Sequence, residues 1–398
     1  MADLVPAGHG GALLAGLLAE HGVRHVFGVP GGQTLALYDA ILDRVPGLGG
    51  VAGSEPAERG VAGSAATLRH VLVRDERTAA YAADAYARVT GRAGVCDATV
   101  GPGAAKLPSG LGEALGASVP VVALVSELPA RLAPHRYRSA ASQALDQAAL
   151  LAPVTKWHAT VPDAATMPAL VRQAFREATA GRPGPVALFL PQDVLDGPAK
   201  QVAPLESSAR FGSFPAFRPA PDPEDAAAAV AVLRAAKRPF VLAGGGVLHS
   251  GAGAELAALA EYLSAAVGTT LSGKGAIAED HPLSAGVTGS MGTAAAAAAL
   301  AEADVVLLVG TKAGSGATYG WTLPRADQAI VQLDLDPAEL GRAFPLAAAV
   351  LADARSGLRS LLAALGKPGD RASDAVPIVP QRVLGEIEAV LGDEDILI

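Results

Sequence analysis

Two adjacent carboxyl residues, Asp75 and Glu76, stand just after the apolar run Val71–Val73, with Arg74 between, and directly before a stretch with helical spacing, Arg77–Thr90, closed by Gly91. A carboxyl group at the end of a buried strand can be kept dry. Its pKa then rises, and it can hydrogen-bond a basic heterocycle or move a proton. The same placement suits a plain helix N-terminal acid that the helix dipole favours. The residues by themselves leave both readings open. Three glycine clusters also follow short apolar runs: Gly28-Val29-Pro30-Gly31-Gly32, Gly101-Pro102-Gly103 and Gly244-Gly245-Gly246. Glycine there permits a tight turn and lets a ligand approach the backbone. A simple strand-to-helix turn would need the same residues. None of the three supplies the spaced Gly-x-Gly-x-x-Gly fingerprint with an acid about 20 residues on.

Other chemistries lack their residues. His158, His249 and His281 have no His, Asp or Glu partner at metal-ligand spacing, so no metal site is expected on this chain. No Gly-x-Ser-x-Gly elbow and no Gly-Lys-Ser/Thr loop occurs. The single cysteine, Cys96, lies in a strand-like stretch and reads as a packed thiol. Arg131, His135, Arg136 and Arg138 read as a solvated loop, with an anion site for a substrate carboxylate as the alternative. Net charge is −8 with no basic stripe, which argues against nucleic acid as a partner. The longest low-polarity run, Thr293–Ala303, is too short to span a bilayer, and Met1-Ala2-Asp3-Leu4 lacks a signal-like start, so no membrane is expected and the expected location is cytoplasmic.

The elements that must position these groups alternate. Helical spacing covers Ala12–Glu20, Leu35–Asp43, Arg77–Thr90 and Glu255–Leu263. Strand candidates are Val26–Val29, Val71–Val73, Val95–Val100, Val119–Val125, Val186–Leu190, Phe240–Ala243, Val305–Val309 and Ile330–Leu335. This alternation predicts an α/β fold with two doubly wound parallel-sheet domains. The first spans 1–197. A Pro-rich linker, 198–222, carries Pro204, Pro215, Pro219 and Pro221, with Pro223 just beyond it. The second domain spans 223–366. Residues 367–398 read as a further linker and a C-terminal helix, about Pro380–Leu391, at the start of a missing third domain, ending on the strand-like Ile396-Leu397-Ile398. Ala52–Leu68 reads as a flexible surface loop.

The order of the motifs carries a resemblance. His21-Gly-Val-Arg-His-Val-Phe-Gly-Val-Pro-Gly-Gly32 leads to Leu37-Tyr38-Asp39-Ala40, then to Val73-Arg74-Asp75-Glu76 and its helix. Gly94-Val95-Cys96, Gly101-Pro102-Gly103-Ala104, Pro153-Val154-Thr155-Lys156 and Gly181-Arg182-Pro183-Gly184-Pro185 follow. In the second block come Gly273-Lys274-Gly275, His281-Pro282-Leu283 and Ala303-Asp304-Val305 to Gly310. Essentially the whole chain resembles the pyrimidine-binding and central, Rossmann-like domains of thiamine-diphosphate (ThDP) enzymes of the acetolactate synthase type.

The resemblance implies roles. The family's acid at the end of this strand hydrogen-bonds the cofactor's aminopyrimidine ring, and the matching residue is Glu76. That contact favours the imino tautomer, which removes the thiazolium C2 proton so that the cofactor can attack a 2-oxo acid and serve as electron sink when carbon dioxide leaves. Pro30, Gly31, Gly32, Asp75, Val100, Gly101, Pro102 and Gly103 are then cofactor contacts, and Lys106 and Gln143 are the remaining substrate-binding candidates. Several positions depart from the pattern. Asp75 stands where His is usual, and two adjacent carboxyls could raise one pKa further. Val100 replaces Ser, Lys106 replaces Asn, and Ser142-Gln143-Ala144 keeps only the Gln of a Phe-Gln-Glu segment. Thr311–Gly316 lacks the Arg and Asp residues that hold FAD in the family, so FAD is not expected.

The family binds the ThDP diphosphate through Mg2+ held by a Gly-Asp-Gly…Asn motif in a third domain, which this chain does not contain. The expected enzyme is therefore split. This subunit carries Glu76, a separate subunit supplies the diphosphate and Mg2+ site, and the two assemble as a heterotetramer around a pyrimidine-domain homodimer. The expected reaction is decarboxylation of a 2-oxo acid with transfer of the acyl anion equivalent to an acceptor. Two other functions stay open on the residues: a non-catalytic paralogue acting as scaffold or regulatory subunit, and a dinucleotide-binding oxidoreductase using Gly244–Gly246.

Overall fold

The structure, a computed structural model, describes residues 6–42, 68–200, 202–203 and 205–366 of the chain. The loop expected at 52–68 (apart from Leu68), the polar break after Gly366, the helix expected near 380–391 and the run 396–398 lie outside the described residues. The chain divides into two compact units, Met1–Phe217 and Arg218–Ile398.

In the first unit the order is β1 (Pro6–His9), α1 (Gly10–Glu20), β2 (His25–Gly28), α2 (Leu35–Leu42), β3 (Arg69–Leu72), α3 (Glu76–Thr90), β4 (Gly94–Ala98), α4 (Pro108–Ala117), β5 (Val121–Glu127), α5 (Gln147–Leu151), β6 (Trp157–Thr160), α6 (Met167–Thr179), β7 (Val186–Pro191), α7 (Gln192–Asp196) and β8 (Pro198–Lys200). Six strands form one sheet in the order β3-β2-β4-β5-β7-β6, and every pairing is parallel. β1 and β8 pair antiparallel in a separate ribbon.

Alternation along the central strands splits the core in two. Val122, Leu124, Val186 and Leu188 face one cluster with Leu14, Leu18 and Phe175 from α1 and α6. Val121, Ala123, Val125 and Phe189 face another with Ala80, Ala83 and Leu111 from α3 and α4. A parallel strand covered on both faces has to be apolar on both, which is why β5 and β7 read as unbroken apolar runs. The run expected at Val71–Val73 is instead β3, an edge strand on which Leu72 is 68% exposed. Residues expected to open a linker are packed on the first unit: β8 pairs with β1, Ser213 bridges to Arg92, and Phe214 is buried in the cluster of α3 and α4.

The second unit contains α8 (Pro223–Ala235), β9 (Pro239–Ala243), α9 (Gly245–Ser250), α10 (Gly253–Leu263), β10 (Ala266–Thr269), β11 (Ser284–Val287), α11 (Ala294–Glu302), β12 (Val305–Val309), β13 (Ala329–Asp334), β14 (Ala348–Leu351) and α12 (Ala354–Leu365). Its six-stranded sheet runs β11-β10-β9-β12-β13-β14, again parallel throughout. The two expected α/β parallel-sheet domains are therefore present. Among the described residues no helix is long and apolar enough to cross a membrane.

Candidate active site

Each sheet is wound outward in both directions from a point between two of its inner strands. In the first, the chain leaves β2 toward β3 on one side and leaves β4 toward β5 on the other. The crevice beyond the carboxyl ends of two such strands is where open α/β sheets bind ligands. The loop after β2 carries Pro30, Gly31 and Gly32, and the loop after β4 carries Val100, Gly101, Pro102 and Gly103. A β-carbon on Gly31 would lie 2.2 Å from Thr99 Oγ1, so glycine is what lets the two loops touch. The Thr99 hydroxyl donates to Gln33 Oε1 at 2.9 Å and ties them together.

Glu76 reaches this crevice from the start of α3. Asp75 caps the helix, its carboxylate accepting from the Arg77 backbone N–H at 2.9 Å. α3 is pressed close to its neighbours because glycines replace side chains at two crossings. A β-carbon on Gly94 would lie 2.1 Å from the Ala83 carbonyl oxygen, and one on Gly110 would lie 2.5 Å from Ala80 Cβ. The Glu76 side chain is 6% exposed. Its Oε1 would be 2.9 Å from a β-carbon on Gly103, so the acid lies against the loop after β4 in space that only glycine leaves free. Its Oε2 accepts from the Lys106 ammonium at 3.0 Å.

The two neighbouring carboxyls take different partners. Asp75 turns outward to Arg77, whose Nε and Nη2 donate to it at 2.9 and 3.1 Å. Those hydrogen bonds bring its pKa down to about 2, the reverse of the rise that adjacent carboxyls could have produced. Lys106 Nζ lies 3.7 Å from Asp75 Oδ2, and the hydrogen bond to Glu76 raises the ammonium's pKa above its ordinary value.

The other sequence candidates divide. Gly101 and Gly103 are buried in the loop, Pro102 is exposed, and across from them Pro30 and Gly32 are exposed. The Val100 side chain is fully buried in a small apolar cluster with Leu128 and Ala144, so it turns away from the crevice. Gln143 meets the loop through its backbone: its carbonyl oxygen would lie 2.2 Å from a β-carbon on Gly101, while its side chain is exposed. Lys106, the other substrate-binding candidate, sits on Glu76.

Two groups of functional interest gave no signal in the sequence. Gln147 is buried; its Oε1 accepts from the Gly101 N–H at 2.8 Å and its Nε2 donates to the Ser126 carbonyl and to Glu127 Oε2. Glu127 in turn pairs with Arg136 at 3.0 Å, so this arginine is part of a scaffold behind the loop and not a purely solvated one. Below the crevice, Asp97 is fully buried. Tyr38 Oη donates to it at 2.7 Å and His70 Nε2 stands 3.5 Å away. Gly28 makes room for it, since a β-carbon there would come within 1.7 Å of Asp97 Oδ1. Burial pushes the Asp97 carboxyl's pKa up. These partners come from three strands and a helix, and no local spacing links them.

In the second unit the switch lies between β9 and β12. A β-carbon on Gly244 would lie 2.2 Å from the Gly310 carbonyl oxygen, and one on Gly246 would lie 2.8 Å from Gly310 Cα. Close approach of the two strand-end loops accounts for these glycines without a dinucleotide.

Known proteins share this sequence pattern. Residues 8–150 match the N-terminal TPP binding domain of thiamine pyrophosphate enzymes, and residues 226–361 match their central domain. A probable acetolactate synthase large subunit of Methanocaldococcus jannaschii is 38% identical over 357 residues, which cover 89% of this chain and 55% of that protein. An acetolactate synthase of Arthrospira platensis is 36% identical, over 87% of this chain and 56% of its own length. A probable 2-ketoarginine decarboxylase of Pseudomonas aeruginosa is 35% identical, over 95% and 62% respectively. The chain thus spans somewhat more than half the length of these relatives.

Proposed function

The chain belongs to the thiamine pyrophosphate enzymes, and we propose that its first unit presents Glu76 to the aminopyrimidine of ThDP in an acetolactate synthase-like reaction. The substrate class is a 2-oxo acid, which is decarboxylated and whose acyl anion equivalent passes to an acceptor. One observation carries the reading. A nearly fully buried acid at the winding switch of a parallel sheet lies against Gly103, in space that a side chain at that position would take from it. The names of the relatives, synthases and a decarboxylase, support the reaction class.

ThDP, when bound, supplies a carbanion and then an electron sink. What this chain's residues do is hold and orient. Glu76 offers a carboxyl oxygen to the ring nitrogen from a site where little water competes, so the hydrogen bond is strong. Gly103 leaves room for the Glu76 carboxyl, and Gln147 fixes the Gly101 end of the loop so that its backbone does not drift from Glu76. Pro30, Gly31 and Gly32 form the opposite wall of the crevice.

The diphosphate and its Mg2+ belong, in this proposal, to a diphosphate-binding domain of the kind the family uses, in an assembly built around a dimer of first units. Reconstitution tests the whole. Mixed with a ThDP diphosphate-binding domain, the chain should release carbon dioxide from a 2-oxo acid such as pyruvate, and Glu76→Gln should lower that rate by roughly 100-fold or more, the scale of general acid–base groups. A mixture that turns over equally well with Glu76→Gln would overturn the proposal and favour a scaffold role.

A further inference from the structure

The Glu76–Lys106 contact poses a problem for the proposed site. One carboxyl oxygen faces Gly103, and the other already accepts a hydrogen bond from an ammonium at 3.0 Å. A ring nitrogen approaching Glu76 meets a cation on the same carboxyl group. Lys106 is 44% exposed and sits on a long flexible stem. It can leave, provided that its charge finds another partner. Asp75 is that partner, since its Oδ2 is already 3.7 Å from Nζ. The Arg77 guanidinium takes one bond at each Asp75 oxygen and leaves Oδ2 lone-pair capacity for a further donor.

Resting on the reading of Glu76 given above, we propose that Lys106 is a displaceable cap on Glu76 and that Asp75 is the group to which it is handed when an aminopyrimidine binds. The ammonium moves a short distance from one carboxylate to the next. It never stands unpaired, so the exchange costs less than breaking an ion pair outright. Lys106 and Asp75 are then positioning residues that set how readily the acid becomes available. This gives the unusual neighbour of Glu76 a task that neither a helix cap nor a coupled carboxyl pair explains.

The test is calorimetric binding of ThDP with Mg2+ to the chain and its variants, each mixed with a ThDP diphosphate-binding domain, with circular dichroism to verify folding. Lys106→Met should tighten binding by roughly fivefold, within the range of exposed ion pairs. Asp75→Asn should weaken it by roughly threefold to fivefold, and this effect should vanish in the Lys106→Met background, because no cap remains to be accepted. Lys106→Asn serves as a second uncapped variant with the same expectation. If Lys106→Met and Lys106→Asn bind no more tightly than the unaltered chain, or if Asp75→Asn weakens binding equally with and without Lys106, the cap is wrong. Glu76→Gln separates the two levels: weaker binding by this variant upholds the reading of Glu76 whatever Lys106 does, whereas unchanged binding removes that reading and the cap together.

Discussion

Gly103 and Glu76 are built against each other: a β-carbon on the glycine would lie 2.9 Å from Glu76 Oε1 and 2.8 Å from the Thr99 carbonyl oxygen. The acid could swing aside, but the carbonyl belongs to the backbone and cannot. Gly103→Ala is therefore expected to destabilise the fold by about 1–3 kcal/mol, the scale of overpacking. ThDP affinity should fall as well, because Glu76 must shift away from the added methyl group. Gly32 is the control, because a β-carbon placed there would have nothing within 4 Å. Gly32→Ala should change stability by less than about 0.5 kcal/mol in urea unfolding. Equal stabilities for the two variants would refute the tight contact.

Gln147 is the hinge pin of the loop after β4. Gln147→Leu keeps the bulk but leaves the Gly101 N–H and the Ser126 carbonyl without their partner. A buried, unsatisfied group costs about 1–3 kcal/mol. Urea midpoints should drop accordingly, and hydrogen exchange at the Gly101 amide should accelerate. Unaltered exchange at that amide would show that the glutamine does not hold it.

Tyr38→Phe removes the hydroxyl that donates to buried Asp97. Hydrogen bonds to an ionised acceptor are about twice as strong as those to a neutral one. Because burial raises the Asp97 pKa, the acid is ionised only at higher pH. The loss in melting temperature should therefore grow as pH rises. A loss that is the same at every pH would contradict an acid titrating beside that hydroxyl.

Asp334, at the end of β13, carries a pKa raised to about 6 by burial. A raised acid favours folding in its protonated form. Its contribution is fully present below the ordinary aspartate value near 4 and is lost as pH rises through about 6. Asp334→Asn imitates the neutral acid and keeps an oxygen for the Asp336 N–H that donates at 3.0 Å. The variant should gain on the unaltered chain between pH 4 and pH 7, by at most about 3 kcal/mol. Chemical denaturation across that range reads the difference; parallel curves would exclude Asp334 as the titrating group.

Local chemistry alone was enough for the alternation of strands and helices, because a parallel strand covered on both faces must be apolar on both and a helix shows its period. Val305–Val309 falls on β12 without a shift, and Arg77–Thr90 falls one residue short of α3. The motif around Glu76 was legible because acid and glycine loops are each short and contiguous. Nothing local marked β3 as an edge strand or turned Val100 into an apolar cluster. Those outcomes depend on which strands become neighbours and which side chains then compete for one partner. Lys106 lies thirty positions from Glu76, Gln147 forty-six from Gly101 and Asp97 fifty-nine from Tyr38. Such pairs exist only once the sheet has closed, since tertiary packing fixes their separation and sequence spacing carries no trace of it.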